Sequence, residues 1–312
     1  MTARRGAFGA VSAVLLAAAL AFAAWRIWSS RAGILESFES AAWDPDPAVL
    51  AASAILLFAG LALIPAGWIL FSRDLGAATP AGKLAAAWFA SQLGRYIPGK
   101  IWLFAGRIGF LRSEGLSMAR AAAAAVWEVL ASFAAVGLVA MPAVLLAGGD
   151  LPRSLRTAAL AGSAALLLLP LLSPVQRLAF RLKGAGDFTG VRFATSLRAV
   201  GAYAASWVLR GASVWLWITG MGLPANGFWS AVAAAPLSWL AGYIVVFVPG
   251  GIGVREAATA AMCDGGSGLA PVMAAMFGQT LLMALFEIAM ALATLRFAAP
   301  KGRGERRGLQ AF

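Results

Sequence analysis

The sequence predicts an all-α, polytopic membrane protein with six full spans and two re-entrant helical hairpins in an inverted repeat. Three observations predict it. The 312 residues are 61% hydrophobic and only 12% charged, with a mean hydropathy of +0.82, far above that of a water-soluble domain. Apolar stretches recur at about the 20 residues that a membrane crossing needs. Two of those stretches are broken by glycine after proline, at Pro98-Gly99 and at Pro249-Gly250-Gly251.

In chain order, the stretch from Ala7 to Trp28 follows Arg4 and Arg5 and is too long for a signal peptide, so it reads as an uncleaved first span. Ala48 to Phe71 is the second. Residues 83–110 are split at Pro98-Gly99: proline removes a donor and clashes with the preceding turn, and glycine frees the chain to reverse. One half-helix should end near Ile97 and the next begin near Ile101. Each half is too short to cross, so the region reads as a hairpin. Arg120 to Ala147, Arg156 to Ser173 and Ala194 to Gly220 are the next spans. Residues 228–264 form a second split region, and Leu269 to Phe297 is the last span.

Charge fixes the orientation. With Arg4 and Arg5 in the cytoplasm, Arg73, Lys83, Arg112, Arg120, Arg177, Arg181, Lys183 and Arg192 and the basic tail from Lys301 to Arg307 also fall inside. Outside fall Glu36, Glu39, Asp44, Asp46 and Asp264, and Asp150 with Arg153 and Arg156. This is the bias of the positive-inside rule, and it holds only if both split regions return to their starting side. The single transmembrane domain, 1–312, then divides into repeats of opposite orientation, about 1–155 and 156–312. Discontinuous helices in such repeats meet near the midplane and build the substrate site there, so Pro98 and Pro249 should lie close together.

The residue inventory narrows the chemistry. The chain has no histidine and a single cysteine, Cys263, which removes histidine-base catalysis, most zinc sites and an internal disulfide. The net charge of +12 follows topology and does not point to nucleic acid. No phosphate-binding Gly-x-x-x-x-Gly-Lys-Ser/Thr loop is present, so ATP hydrolysis is not expected. Ionisable groups inside spans are costly and mark function. The candidate substrate contacts are Arg95, Lys100, Arg107, Glu128, Arg255 and Glu256, beside the breaks Pro98, Gly99, Pro249, Gly250 and Gly251; Arg210 and Glu287 lie deep in spans. Cations exceed acids here, and half-helix N-termini add free amides, so the site favours an anion such as a phosphate headgroup. The competing reading pairs these charges internally, Arg107 with Glu128 and Arg255 with Glu256 or Glu287. Trp68 reads as an interfacial belt residue, whereas Trp102, Trp127 and Trp239 are candidates to line a cavity.

Gly94-Arg95-Tyr96-Ile97-Pro98-Gly99-Lys100, Gly106-Arg107, Trp127-Glu128 and Val248-Pro249-Gly250-Gly251-Ile252-Gly253-Val254-Arg255-Glu256-Ala257 together resemble the signature segments of the lysylphosphatidylglycerol synthase transmembrane, or flippase-like, family. The resemblance covers nearly the whole chain and implies movement of a lipid between leaflets. Two-part synthases of that family add a soluble aminoacyl-transfer domain; none follows here, so aminoacyl-lipid synthesis is not expected.

The leading expectation is a flippase for an anionic, phosphate-bearing lipid, such as a polyprenyl-phosphate-linked lipid, a glycolipid or a phospholipid. A small-anion transporter and an integral membrane transferase are the alternatives, the latter without a catalytic motif. No cofactor or metal is expected. Expected partners are the lipid substrate, the bilayer and possibly a lipid-synthesising enzyme, and the expected location is a bacterial cytoplasmic membrane with both termini inside.

Overall fold

The computed structural model describes residues 43–96, 101–151, 153–167, 190–245 and 248–298. Among them the chain is all-helical: α1 (Pro47–Asp74), α2 (Ala81–Gln92), α3 (Ile101–Ser113), α4 (Met118–Ala147), α5 (Arg153–Leu167), α6 (Phe193–Gly220), α7 (Phe228–Ile244), α8 (Val254–Cys263) and α9 (Leu269–Ala298). α1, α4 and α9 are long and apolar enough to cross a membrane. The expected first span at 7–28 lies outside the described residues, as do Pro98, Gly99 and Lys100.

Local chemistry sets where the helices begin. Asp46 starts α1 by accepting from the Ala48 and Val49 amides at 2.9 and 3.2 Å, with Pro47 at the first helical position, where no donor is needed. Ser117 does the same for α4 through the Arg120 amide.

α1 and α6 run antiparallel and form the spine. Ser53 and Ser213 each donate to the other's carbonyl at 2.8 Å, Ser206 donates to the Gly60 carbonyl at 2.7 Å, and the Tyr203 ring lies on Gly67. Small residues and shared hydroxyls let the two backbones approach closely. The spine gives the molecule two ends. At one, the Asp46 amide meets the Gly220 carbonyl at 2.8 Å; at the other, Asp74 pairs with Arg192. The first end gathers Asp44, Asp46 and Asp264 with Arg153 and Arg156, and the second gathers Arg73, Lys83, Arg112, Arg120 and Arg192 with Asp74 and Glu114.

The two split regions fold back on themselves. Thr79, just before α2, donates to Glu114, just after α3, at 2.9 Å, which closes the first pair at the basic end. Ala225 bridges Asp264, and the Asn226 amide donates to the Cys263 carbonyl at 3.0 Å, which closes the α7–α8 pair at the acidic end. Each pair therefore points inward from its own end, and the 3-10 turn Leu93–Tyr96 touches the 3-10 turn Pro249–Gly251 between them.

Two details refine the sequence reading. α2 is α-helical to Gln92 and then tightens into a 3-10 turn that carries the helical chain to Tyr96, beside the expected end at Ile97. Gly94 already lies against the returning strand of chain, where a Cβ would stand 2.8 Å from the Leu103 nitrogen. Trp68 is fully buried rather than interfacial, because the α2–α4 layer covers its face of α1.

Candidate anion site

Where the two turns meet, four arginines and two glutamates line a cavity of about 130 Å³, with room for several waters or a small polar group. Each side chain is set in place differently.

Arg107 sits in mid-α3 and is 3% exposed. It donates from Nε to Ser91 at 3.0 Å and from Nη2 to Gln92 at 3.1 Å, and Nη1 pairs with Glu128 on α4. Its guanidinium lies 5.0 Å from the Trp88 ring, and the Trp88 indole donates to the other Glu128 oxygen at 2.8 Å. This is one of the internal pairings expected from sequence.

Arg95 belongs to the first turn. Its Nη1 is 2.9 Å from Glu287 and its Nη2 is 3.9 Å from the Met283 sulfur, both on one face of α9. Arg255, at the start of α8, brings its own Nη2 to 3.9 Å from the same sulfur. The two cations, one from each hairpin, thus approach within about twice that distance of each other. Gly242 makes the approach possible, since a Cβ there would stand 2.6 Å from the Arg255 Cγ. Gly251 makes the turn possible, with φ at 72° and its Cα against Gly242.

Glu256 turns the other way. One oxygen accepts from the Gly253 amide at 2.5 Å and caps α8, and the other accepts from Thr280 at 2.5 Å. It borders a second, smaller chamber, which shares Arg210, Arg255 and Met283 with the first.

Of the residues singled out from sequence, Arg95, Arg107, Glu128, Arg255 and Gly250 line the main cavity and Glu256 does not. Pro98, Gly99 and Lys100 fall outside the described residues, and Pro249 and Gly251 form the second turn. Glu287, Arg210 and Trp207 also line the cavity and were not among the assigned contacts. For the two on α6 the signal is helical spacing, because Tyr203, Trp207 and Arg210 share one face at i, i+4 and i+7. Arg210 is 7% exposed and packs over the Trp207 ring at 4.2 Å. Such stacking is worth up to about 2 kcal/mol, whereas burying a charge costs several, so a solvated or anion-filled cavity is needed beside it. No protein-family model matches the chain, and no curated protein is similar to it.

The cavity can thus hold an anion. It brings several guanidinium groups, whose donors suit the oxygens of phosphate, to one buried cavity.

Proposed function

We propose that the chain is a multi-pass membrane protein that passes an anionic, phosphate-bearing lipid between leaflets. The observation that carries this reading is the convergence of Arg95 and Arg255, one from each hairpin, on one cavity. The headgroup phosphate sits among these cations while the tails stay in the bilayer. In this reading α1, α4, α6 and α9, the segment at 7–28 and the one begun by α5 are the six spans. The pairs α2–α3 and α7–α8 are re-entrant and belong to inverted repeats. The basic end faces the cytoplasm, with both termini. The resemblance to the lysylphosphatidylglycerol synthase transmembrane family supports the same function.

Apolar exposure beside the cavity favours a lipid over a free anion. α3 and α7 both line the cavity. Ile101 at the start of α3 and Ile244 at the end of α7 are 70% and 68% exposed, an apolar surface suited to acyl or prenyl tails.

Proteoliposomes test the proposal. A fluorescent phospholipid in the inner leaflet should become accessible to an external quencher faster with the protein than without it. Arg255→Gln should abolish that gain at unchanged melting temperature. Full activity in a stable Arg255→Gln protein would sink the assignment, and uptake of radiolabelled phosphate without lipid movement would replace it with the small-anion reading.

A further inference from the structure

The buried arginines of the cavity are not equivalent. We propose that Arg210, on α6, is the residue whose guanidinium grips the phosphate of the ligand, and that Arg107, which lines the same cavity, is framework. The inference rests on the transport reading above and adds a contact residue to it.

Each nitrogen of Arg107 is held by the protein: Nε by Ser91, Nη2 by Gln92 and Nη1 by Glu128. Arg210 is also more than nine-tenths buried, yet among the described residues it makes no hydrogen bond and no ion pair. Its position is set by other means. The Trp207 ring lies 4.2 Å from the guanidinium, and a Cβ on Gly60 would stand 2.7 Å from the Arg210 Cγ, so the stem lies against α1. Stacking covers the face of a guanidinium and fixes its plane, but the N–H donors lie within that plane and stay available. A buried arginine fixed by its stem and its face, with its donors unused and a cavity before it, is prepared for a ligand.

Arg210 borders both chambers, and their linings say which one receives the anion. In the smaller chamber the side-chain donors are already used: Ser238 donates to the Ala235 carbonyl at 3.2 Å, Thr259 to the Arg255 carbonyl at 2.9 Å, Gln279 to Ser213 at 3.0 Å and Thr280 to Glu256. The Glu256 carboxylate borders that chamber as well, so it offsets part of the Arg210 charge and repels an anion there, without taking an Arg210 donor. In the main cavity the carboxylates Glu128 and Glu287 are each paired, with Arg107 and Arg95. A phosphate oxygen that enters the main cavity therefore reaches Arg210 without displacing a protein acceptor from it. A lipid headgroup and free phosphate present the same oxygens to it.

The test uses the full chain in maltoside micelles, titrated by calorimetry with dihexanoyl phosphatidylglycerol and, separately, with inorganic phosphate. The wild type should bind at least one of them. Arg210→Gln and Arg210→Met should each weaken that binding by about tenfold or more, the loss that follows from removing charge-assisted hydrogen bonds. Arg210→Lys, which keeps the charge and loses the fork, should fall between them and the wild type. The ligand-free melting temperatures of the Gln and Met variants should stay at the wild-type value, because no protein group loses a hydrogen-bond partner; a merely structural arginine would lower them first. Binding by either folded variant within about threefold of the wild type overturns the assignment. So does failure of both variants to fold, or failure of the wild type to bind either probe. Binding of the short-chain lipid identifies a lipid source. Binding of inorganic phosphate alone, lost in Arg210→Gln, leaves Arg210 standing and overturns the flippase reading. Lipid movement in proteoliposomes that proceeds at the wild-type rate in Arg210→Gln overturns the Arg210 contact and leaves the flippase reading standing.

Discussion

Replacing Glu128 with Gln should cost the protein about 3 kcal/mol, and replacing Arg107 with Gln about 5, yet replacing both should cost only 1 to 2. The asymmetry follows from the neighbours. Without the carboxylate, Arg107 stays buried and charged but keeps Ser91 and Gln92 as acceptors and the faces of Trp88 and Trp68 at 5.0 and 5.8 Å. That places Glu128→Gln at the low end of the roughly 3 to 5 kcal/mol expected when half of a buried pair is removed. Without the guanidinium, Glu128 keeps the Trp88 indole at 2.8 Å, which places Arg107→Gln at the high end. In the double variant no charge remains, and two amides can bond to each other and to Trp88. The coupling energy should therefore be about 6 kcal/mol. Reversible unfolding in mixed detergent micelles, followed by tryptophan fluorescence, measures all four proteins. Additivity of the single effects to within about 0.5 kcal/mol would refute the claim that the pair is buried and mutually dependent.

Topology and packing give two more predictions. In a Cys263→Ala background, cysteines at Lys83 and Arg112 should label from one face of the membrane and cysteines at Pro224 and Ser267 from the other; labelling of 83 and 112 from opposite faces would remove the first re-entrant hairpin. Gly67→Ala puts a methyl group where a Cβ lies 2.1 Å from the Tyr203 hydroxyl, so it should destabilise by about 1 to 3 kcal/mol, and Tyr203→Leu in the same chain should restore part of that loss in the same unfolding assay.

Local rules were readable in the sequence and long-range ones were not. The breaks at Pro98 and Pro249 stood out because proline and glycine act on their own backbone, and the ends of α1, α4 and α6 fell within a few residues of expectation for the same reason. The Arg107–Glu128 pair was one of the pairings that sequence offered. Arg95 with Glu287 was not, because that contact depends on where the first turn lands along α9, which no local pattern encodes. Glu256 read as an intramembrane charge, yet its place three residues after Gly253 is also the spacing of a helix cap. Arg210 was visible as a charge in a span, but the stripe of Tyr203, Trp207 and Arg210 reads equally well as a packing face until a cavity is found in front of it.

The spine also imposes an order in time. Ser53 and Ser213 are 160 residues apart in the chain, and a ribosome adds about 5 to 20 residues per second, so α1 waits roughly 8 to 30 s in the membrane before α6 exists. During that wait the hydroxyl of Ser53 has only its own helix to bond to, and the groove beside Gly60 and Gly67 faces lipid or a passing helix. The first hairpin must wait as well, because the turn that meets its tip and the glutamate that receives Arg95 are both translated later. Insertion of the early helices is thus separated from their folding. A chain cut short before α6 would leave a notched, unpaired helix in the bilayer, a form that membrane quality control can recognise.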